Sequence, residues 1–140
     1  MNVLLSIKPQ YAESILSGTK KYEFRKKEFR RQGIRRVYLY ANGSVRKIVG
    51  SFEIESTLRG TPEAIWERCH EHGGITKKDF FEYFEGSKQA FAYKIRDPRK
   101  FNGEIDLDSL REDFPIPPQS FYYIPDSRFS YQHFDFTLTH

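Results

Sequence analysis

The chain has 140 residues, 38% hydrophobic and 16% aromatic, which predicts one domain whose core is filled by a few large side chains. No run approaches the roughly 18 apolar residues that cross a membrane, the first residues lack a secretory leader, and a single cysteine excludes an internal disulfide. We therefore expect a cytoplasmic protein with no membrane partner.

The formal net charge of +4 is modest, but its distribution along the chain is uneven. Residues 20–47 hold eleven Lys or Arg and two acids, whereas residues 103–140 hold seven acids and two Arg. Such a one-sided field favours a polyanionic partner, such as nucleic acid or a nucleotide, on the basic side. The alternative is a solvated basic face without a partner.

Alternating and helical patterns divide the first half of the chain into short elements. Gly18 provides the stop signal of the first helix, and Asn42-Gly43 is a turn signal. In chain order, we predict a strand over 3–7, a helix over 11–17, a strand over 22–27, a strand over 36–41 and a half-buried strand over 48–58.

The second half contains two consecutive helix signals. Thr61-Pro62 begins one helix and Thr76 caps the next, which ends at Gly86. The remaining predictions are a strand over 89–97, a turn at Pro98 and 100–103, a short helical turn within 107–114, a core strand over 121–124 and an edge strand or strap over 126–140.

These elements predict an α+β fold: a mixed, partly closed β-barrel of about six strands with two to three short helices. A doubly wound sheet is disfavoured because the two helices within 61–86 have no strand between them. We expect residues 1–125 to form the domain. Residues 126–140 would be an aromatic and acidic extension, packed on the domain or added as an edge strand.

The candidate site with the most information is the turn and strand over residues 18–25. Its glycine is followed by Lys20, Glu23 and Arg25, three charges of both signs beside a turn. In a strand, Glu23 and Arg25 share one face, so we expect both to face a groove while Tyr22 and Phe24 enter the core. The alternative is a surface ladder of ion pairs, which would contribute little to stability.

Two further elements are candidates for ligand contacts. Lys8 precedes the first helix, whose N-terminus favours anions, so it is a candidate phosphate contact. Tyr38 and Tyr40 have flat rings with polar tips, so they are candidates for stacking on a nucleobase. Ordinary roles remain open: Lys8 as a surface cation, and both tyrosines as core residues.

The histidine and cysteine pattern does not predict a metal centre. Cys69, His70 and His72 lack the spacing of a closed zinc site. A Gly-x-Ser-x-Gly nucleophile motif and a glycine-rich phosphate loop are both missing from the sequence. We therefore predict no metal and no cofactor.

The match at Gly18, Lys20, Glu23 and Arg25 resembles the Gly-x-Lys-x-x-Glu-x-Arg signature of the ASCH family, relatives of the PUA-like RNA-binding domains. Ser-Ile-Lys-Pro before the first helix and Pro-Pro-Gln-Ser-Phe-Tyr-Tyr-Ile at 117–124 extend the likeness over most of residues 1–125. The resemblance implies a PUA-like barrel with a cleft near the motif, and RNA or nucleic-acid binding.

The resemblance also brings in two enzyme branches of the family, an amidohydrolase acting on N4-acetylcytidine and a ribonuclease. The amidohydrolase uses a Lys, a Thr and a Glu. Lys20 matches the Lys, but Glu23 occupies the Thr position and the Gly73-Gly74 turn the Glu position. A metal-independent ribonuclease is favoured over the amidohydrolase, because Lys20 and Arg25 can stabilise a phosphorane. Glu23 or a nearby tyrosine is then the candidate base.

We consequently favour a binding module for RNA, single-stranded nucleic acid or a modified nucleoside. In it, Lys8, Lys20 and Arg25 would meet phosphate, and Glu23 would accept from a base edge or orient Arg25. A hydrolase with Lys20 and Glu23 as catalytic groups is the second hypothesis. The third is a protein-interaction domain that uses the acidic, aromatic tail. The sequence leaves the oligomeric state open.

Overall fold

The structure is a computed structural model that describes residues 1–106 and 120–124. The helices and strands of these described residues are, in chain order, β1 (Asn2–Ile7), α1 (Pro9–Leu16), β2 (Tyr22–Arg25), β3 (Val37–Ala41), β4 (Lys47–Gly60), α2 (Pro62–Cys69), α3 (Lys77–Tyr83), β5 (Ala90–Asp106) and β6 (Phe121–Ile124). A 3-10 turn over His70–His72 follows α2. The helical turn predicted within 107–114 and the extension predicted at 126–140 lie outside the described residues.

The six strands form one mixed sheet in the order β2-β5-β4-β3-β1-β6. The β1–β3 pair is parallel and the other four pairs are antiparallel. The sheet curls into a half-barrel with three helices, which confirms the predicted α+β, partly closed barrel. None of the helices over residues 1–106 and 120–124 has both the length and the apolar character to span a membrane.

Three apolar clusters hold the sheet and helices together. Inside the curl, Ala12 and Ile15 of α1 pack among side chains of the first, third and fourth strands and Tyr93 of β5. On the opposite face of β3, Tyr40 packs with Leu4 and Ile48. The third cluster joins α2 and α3 to β2 and β5 through Phe24, Ile65, Cys69, Phe80, Phe84, Ala90 and Ala92.

Both helices of the third cluster begin at the predicted threonine caps. The hydroxyl oxygen of Thr61 accepts from the N–H of Ala64, and that of Thr76 accepts from the N–H of Asp79, each at 3.1 Å. These bonds satisfy N–H groups that a helix start leaves without an intrahelical acceptor. The caps therefore fix where α2 and α3 begin.

The turn predicted at Pro98 and 100–103 was wrong, because β5 runs unbroken from Ala90 to Asp106. The turn-forming residues fall instead at irregularities of the β4–β5 ladder. One lies between the Ser51–Arg99 and Glu53–Arg96 pairs, where Asp97 has φ +50°. A bulge of this kind accommodates Pro98 and a positive φ without ending the strand.

Residues 26–36 connect β2 to β3 and carry six cationic side chains; we call this segment the basic loop. Phe29 anchors it, because its ring stacks on Tyr93 at 4.5 Å and its N–H donates to the Tyr93 hydroxyl at 2.7 Å. The N–H of Arg30 donates to the hydroxyl of Tyr123 in β6, also at 2.7 Å. The loop therefore links β2 to β6, the two strands at opposite ends of the sheet order.

Candidate functional site

A cavity of about 490 Å³ lies where the start of α1, the strand β2 and the helix α3 meet. Its size is in the range of pockets that hold small molecules. Its lining consists of Ser6, Ile7, Lys8, Tyr11, Lys20, Glu23, Phe24, Arg25, Asn42, Ile75, Asp79, Phe80, Glu82 and Tyr83.

Lys20 is the most unusual member of this lining, because its side chain is only 2% exposed. The ammonium donates to the carbonyl oxygen of Gly73 at 2.5 Å and lies 4.8 Å from the centre of the Phe24 ring and 5.2 Å from that of Tyr11. Burial lowers the pKa of Lys20, Glu23 acts in the opposite direction, and Arg25 lowers it further. The site thus holds an amine that loses its proton more readily than a lysine in water.

The turn after the 3-10 segment is shaped to receive this lysine. Gly74 has φ +63°, and a Cβ atom built on it would lie 2.6 Å from the Cβ of Lys20. The N–H of Lys21 donates to the carbonyl of His72 at 2.8 Å, so backbone and side chain meet the same turn. A residue with a side chain at position 74 would push Lys20 away.

Glu23 and Arg25 line the cavity together, as their shared strand face predicts. The Nε of Arg25 donates to Oε2 of Glu23 at 2.9 Å, and Nη2 donates to the carbonyl oxygen of Ser6 at 2.7 Å. Asn42 donates to the hydroxyl of Ser6 at 3.1 Å. Glu23 is 5% exposed, so this is a built polar cluster that joins β2 to β1 across the cavity.

The other predicted residues separate into two places. Lys8 is exposed and lines the cavity, as expected. Tyr38 and Tyr40 do not line it: Tyr40 is buried beside Leu4 and Ile48, and Tyr38 packs near Phe101. The reason is strand parity, since β3 turns Leu39 into the curl and both tyrosines to the opposite face. Stacking by these tyrosines stays a prediction that their position does not favour.

Helix α3 supplies cavity residues that the sequence interpretation missed. Asp79 and Tyr83 are four residues apart and therefore share a face of the helix, and Glu82 lies beside them. The Tyr83 side chain is 36% exposed. Burial raises the pKa of Tyr11, and the Asp79 carboxylate raises it further. The i, i+4 spacing of Asp79 and Tyr83 was the available signal.

The charges of the lining balance. Three cations face three carboxylates, and the deeper groups already have partners, because Lys20 is bonded to Gly73 and Arg25 to Glu23. Such a cavity suits an uncharged polar ring better than a phosphate, because it offers more hydrogen-bonding groups than unpaired charges. Among the described residues, no three His, Cys, Asp or Glu side chains cluster as metal ligands.

Comparison of the sequence with known proteins gives consistent matches. The family model for the ASCH domain matches residues 5–102. An ASCH domain-containing ribonuclease of Zymomonas mobilis is 31% identical over 120 residues, which cover 84% of this chain and 80% of the relative. The large ribosomal subunit protein uL22 of Ureaplasma parvum is 28% identical over 122 residues, but the match spans only 39% of that protein.

Comparison of the structure points to the same relatives. The crystal structure of ASCH from Zymomonas mobilis superposes with a TM-score of 0.83 at 28% identity, covering 91% of this chain and 90% of that one. The N-terminal domain of McrB from Staphylothermus marinus superposes with a TM-score of 0.61 at 11% identity, covering 96% and 92% of the two chains. The McrB likeness shows a shared fold and nothing more.

Proposed function

This chain belongs to the ASCH domain family, and on that premise we propose that it binds single-stranded RNA, with one nucleoside of the RNA, modified or unmodified, held in the cavity beside Lys20. The observation that carries the proposal is the composition of the cavity. About 490 Å³ of space is lined by aromatic faces, by the buried polar groups of Lys20 and Glu23, and by the half-buried Arg25. Aromatic faces with a few fixed polar groups are what unstacked bases require.

The balance of charge favours a base inside the cavity and phosphates outside it. Arg25 bonds to Oε2 of Glu23, so Oε1 is the oxygen that would accept from a base edge. The amide of Asn42 offers a further polar group at the same wall. Lys8, exposed at the rim, would meet a flanking phosphate.

The basic loop supports a longer polyanion than one nucleotide. Its acid, Glu28, is paired with Arg59, so Lys26, Lys27, Arg30 and Arg31 keep their charge available. Contacts from such side chains to phosphates give affinity that falls with salt and carries no sequence information. The names of two relatives agree with an RNA ligand, since one is a ribonuclease and one a ribosomal protein.

The test is titration of a labelled single-stranded RNA at 50 and 200 mM salt, conditions chosen to expose counterion release. We expect the affinity to fall with salt and to fall at least 10-fold in Lys20→Ala. Lys78→Ala removes an exposed lysine outside the cavity lining and should behave like wild type. Affinity that ignores both salt and Lys20→Ala would sink the proposal, provided that thermal unfolding shows the variant folded.

A second function, metal-independent cleavage of RNA, is favoured by the Glu23 carboxylate, which lies beside the Arg25 guanidinium and shares the cavity lining with Lys20. The Glu23 carboxylate would take the proton of a 2′-hydroxyl, whose oxygen then attacks the adjacent phosphorus and expels the 5′-oxygen of the next nucleotide, and the Lys20 ammonium would give that leaving oxygen its proton. The Arg25 guanidinium would stabilise the charged phosphorane. The Zymomonas relative bears the name of this activity.

An amidohydrolase acting on N4-acetylcytidine has weaker support. Glu23 occupies the nucleophile position, and the Lys20 ammonium bonds to a backbone carbonyl at Gly73 rather than to a carboxylate. Incubation of the protein with RNA and with N4-acetylcytidine, each with and without a chelator, separates the two reactions. If high protein concentration yields no product from either, the result argues against both hydrolase reactions.

A further inference from the structure

Tyr83, at the mouth of the cavity, differs from the other aromatic residues of the described chain. It is the exposed large hydrophobic side chain among residues 1–106 and 120–124, at 36% exposure. The rings of Phe24, Phe29, Phe80 and Phe84 are buried in the clusters described above. Because this exposed ring also lines the cavity, it offers a flat face on which a base beside the cavity can stack.

The Tyr83 ring is held in place from several sides. The ring of Phe84 meets it edge-on at 4.8 Å and 78°. The Arg25 guanidinium and the backbone N–H of Lys26 lie beside its hydroxyl. A ring fixed in this way loses little conformational freedom when a planar ligand stacks on it.

One face of the Tyr83 ring is covered by the side chain of Lys26, which can move away from it. The ammonium of Lys26 lies 4.7 Å from the ring centre, and Lys26 is exposed and forms no ion pair with any described carboxylate. Stacking of a base on an aromatic ring is stronger than a solvent-exposed cation–π contact. The lysine stem is long and flexible, so its ammonium can move from the ring to a phosphate.

We propose that Tyr83 and Lys26 form a second nucleotide subsite at the cavity mouth, where the base next to the bound nucleoside stacks on Tyr83 and its phosphate binds Lys26. This inference rests on the proposed RNA binding and adds a residue pair that fixes the path of the strand. From this subsite the backbone would continue along the basic loop, whose next cations are Lys27, Arg30 and Arg31.

The experiment uses a ten-nucleotide single-stranded RNA that carries 2-aminopurine, whose fluorescence falls on stacking. With the full chain we expect quenching on binding, and Tyr83→Leu should remove the quenching and weaken binding roughly 10- to 100-fold. The conservative variant Tyr83→Phe keeps the ring and should restore both. Lys26→Gln should lower the slope of log affinity against log salt by about 0.7, whereas Lys77→Gln, outside the cavity lining, should leave it unchanged.

The outcomes distinguish the Tyr83–Lys26 subsite from the proposed RNA binding on which it rests. RNA binding by the wild-type chain combined with equal affinity and equal quenching in Tyr83→Leu overturns the subsite and leaves the cavity proposal standing. Absence of RNA binding by the wild-type chain overturns both. Loss of quenching in Tyr83→Leu and its return in Tyr83→Phe support stacking, since a purely structural defect would appear in thermal unfolding as well.

Discussion

The ammonium of Lys20 lies 2.5 Å from the carbonyl oxygen of Gly73, although 53 residues separate the two in sequence. This bond ties the start of β2 to the turn between α2 and α3, so the wall of the cavity depends on it. A buried cation with one backbone acceptor and two aromatic neighbours is a costly arrangement.

The fit of the turn around Lys20 can be tested with two glycines. Gly74→Ala introduces a Cβ at φ +63° that overlaps the Lys20 stem, whereas Gly86→Ala introduces one at φ +79° with open space around it. Each should lose about 1–2 kcal/mol of unfolding free energy to backbone strain. Gly74→Ala should lose roughly 1–3 kcal/mol more, and it alone should weaken RNA binding. Denaturant unfolding measures the difference in stability, and the RNA titration measures the difference in affinity. Equal stability and equal affinity in the two variants would refute the prediction.

The lowered pKa of Lys20 makes its contribution to stability depend on pH. Between its folded pKa and the unfolded value of 10.5, the unfolded chain binds more protons, so raising the pH stabilises the fold. The unfolding free energy of wild type minus that of Lys20→Met should therefore rise as the pH approaches 10.5. Denaturant titrations at several pH values give this difference.

Lys94 is the matched control, because a hydrogen bond from its ammonium to Glu55 raises its pKa. The folded chain then keeps a proton above pH 10.5 that the unfolded chain releases, so this contribution is lost as the pH rises further. The difference between wild type and Lys94→Met should fall in that range. If the difference in unfolding free energy between wild type and Lys20→Met does not change with pH, the burial of a charged amine at position 20 is contradicted.

The Glu23–Arg25 pair should couple more strongly than an exposed pair. Its side chains are 7% and 15% exposed, against 31% and 59% for Glu28 and Arg59. A double-mutant cycle with Glu23→Gln and Arg25→Gln should give a coupling free energy of about 1–3 kcal/mol. The cycle at Glu28 and Arg59 should stay under about 1 kcal/mol. Comparable values would mean that the cavity pair is no better desolvated than the surface pair.

The anchoring of the basic loop depends on the Tyr93 hydroxyl, which accepts from the N–H of Phe29 at 2.7 Å. Tyr93→Phe leaves that buried N–H without its acceptor, so we expect a loss of about 1–2 kcal/mol of unfolding free energy and faster hydrogen exchange at Phe29. Tyr123→Phe removes the corresponding acceptor of Arg30 at an exposed position and should cost less. Unchanged exchange at Phe29 would show that ring stacking alone holds the loop.

The parts of the fold that local chemistry controls could be predicted from sequence. Thr61 and Thr76 cap their helices because their hydroxyls need only the next turn of chain. The parity of β2 likewise places Glu23 and Arg25 on one face. The turn predicted at Pro98 failed because the partner strand β4 supplies a bulge there, and pairing between distant strands has no local signal.

The sequence predicted the cavity residues that precede α1 and those of the turn and strand ending in β2, but not those of α3. Lys8, Lys20, Glu23 and Arg25 do line one cavity, but the opposite wall comes from α3, through Asp79 and Tyr83. The position of that helix depends on packing of Phe80 and Phe84 against Phe24 and α2. Tyr38 and Tyr40 were placed at the ligand because their chemistry suits stacking, while their facing depends on which side of β3 the sheet curls toward.

The strands at the two margins of the sheet, β2 and β6, are not hydrogen-bonded neighbours. Side chains fasten that margin instead, through Arg25 to Ser6 and through the Tyr123 hydroxyl to Arg30. Separating these few contacts widens the gap without breaking a single rung of the backbone ladders. The half-barrel is therefore closed along this seam by side-chain contacts rather than by backbone pairing, and Arg25, one of the residues that close it, also lines the cavity.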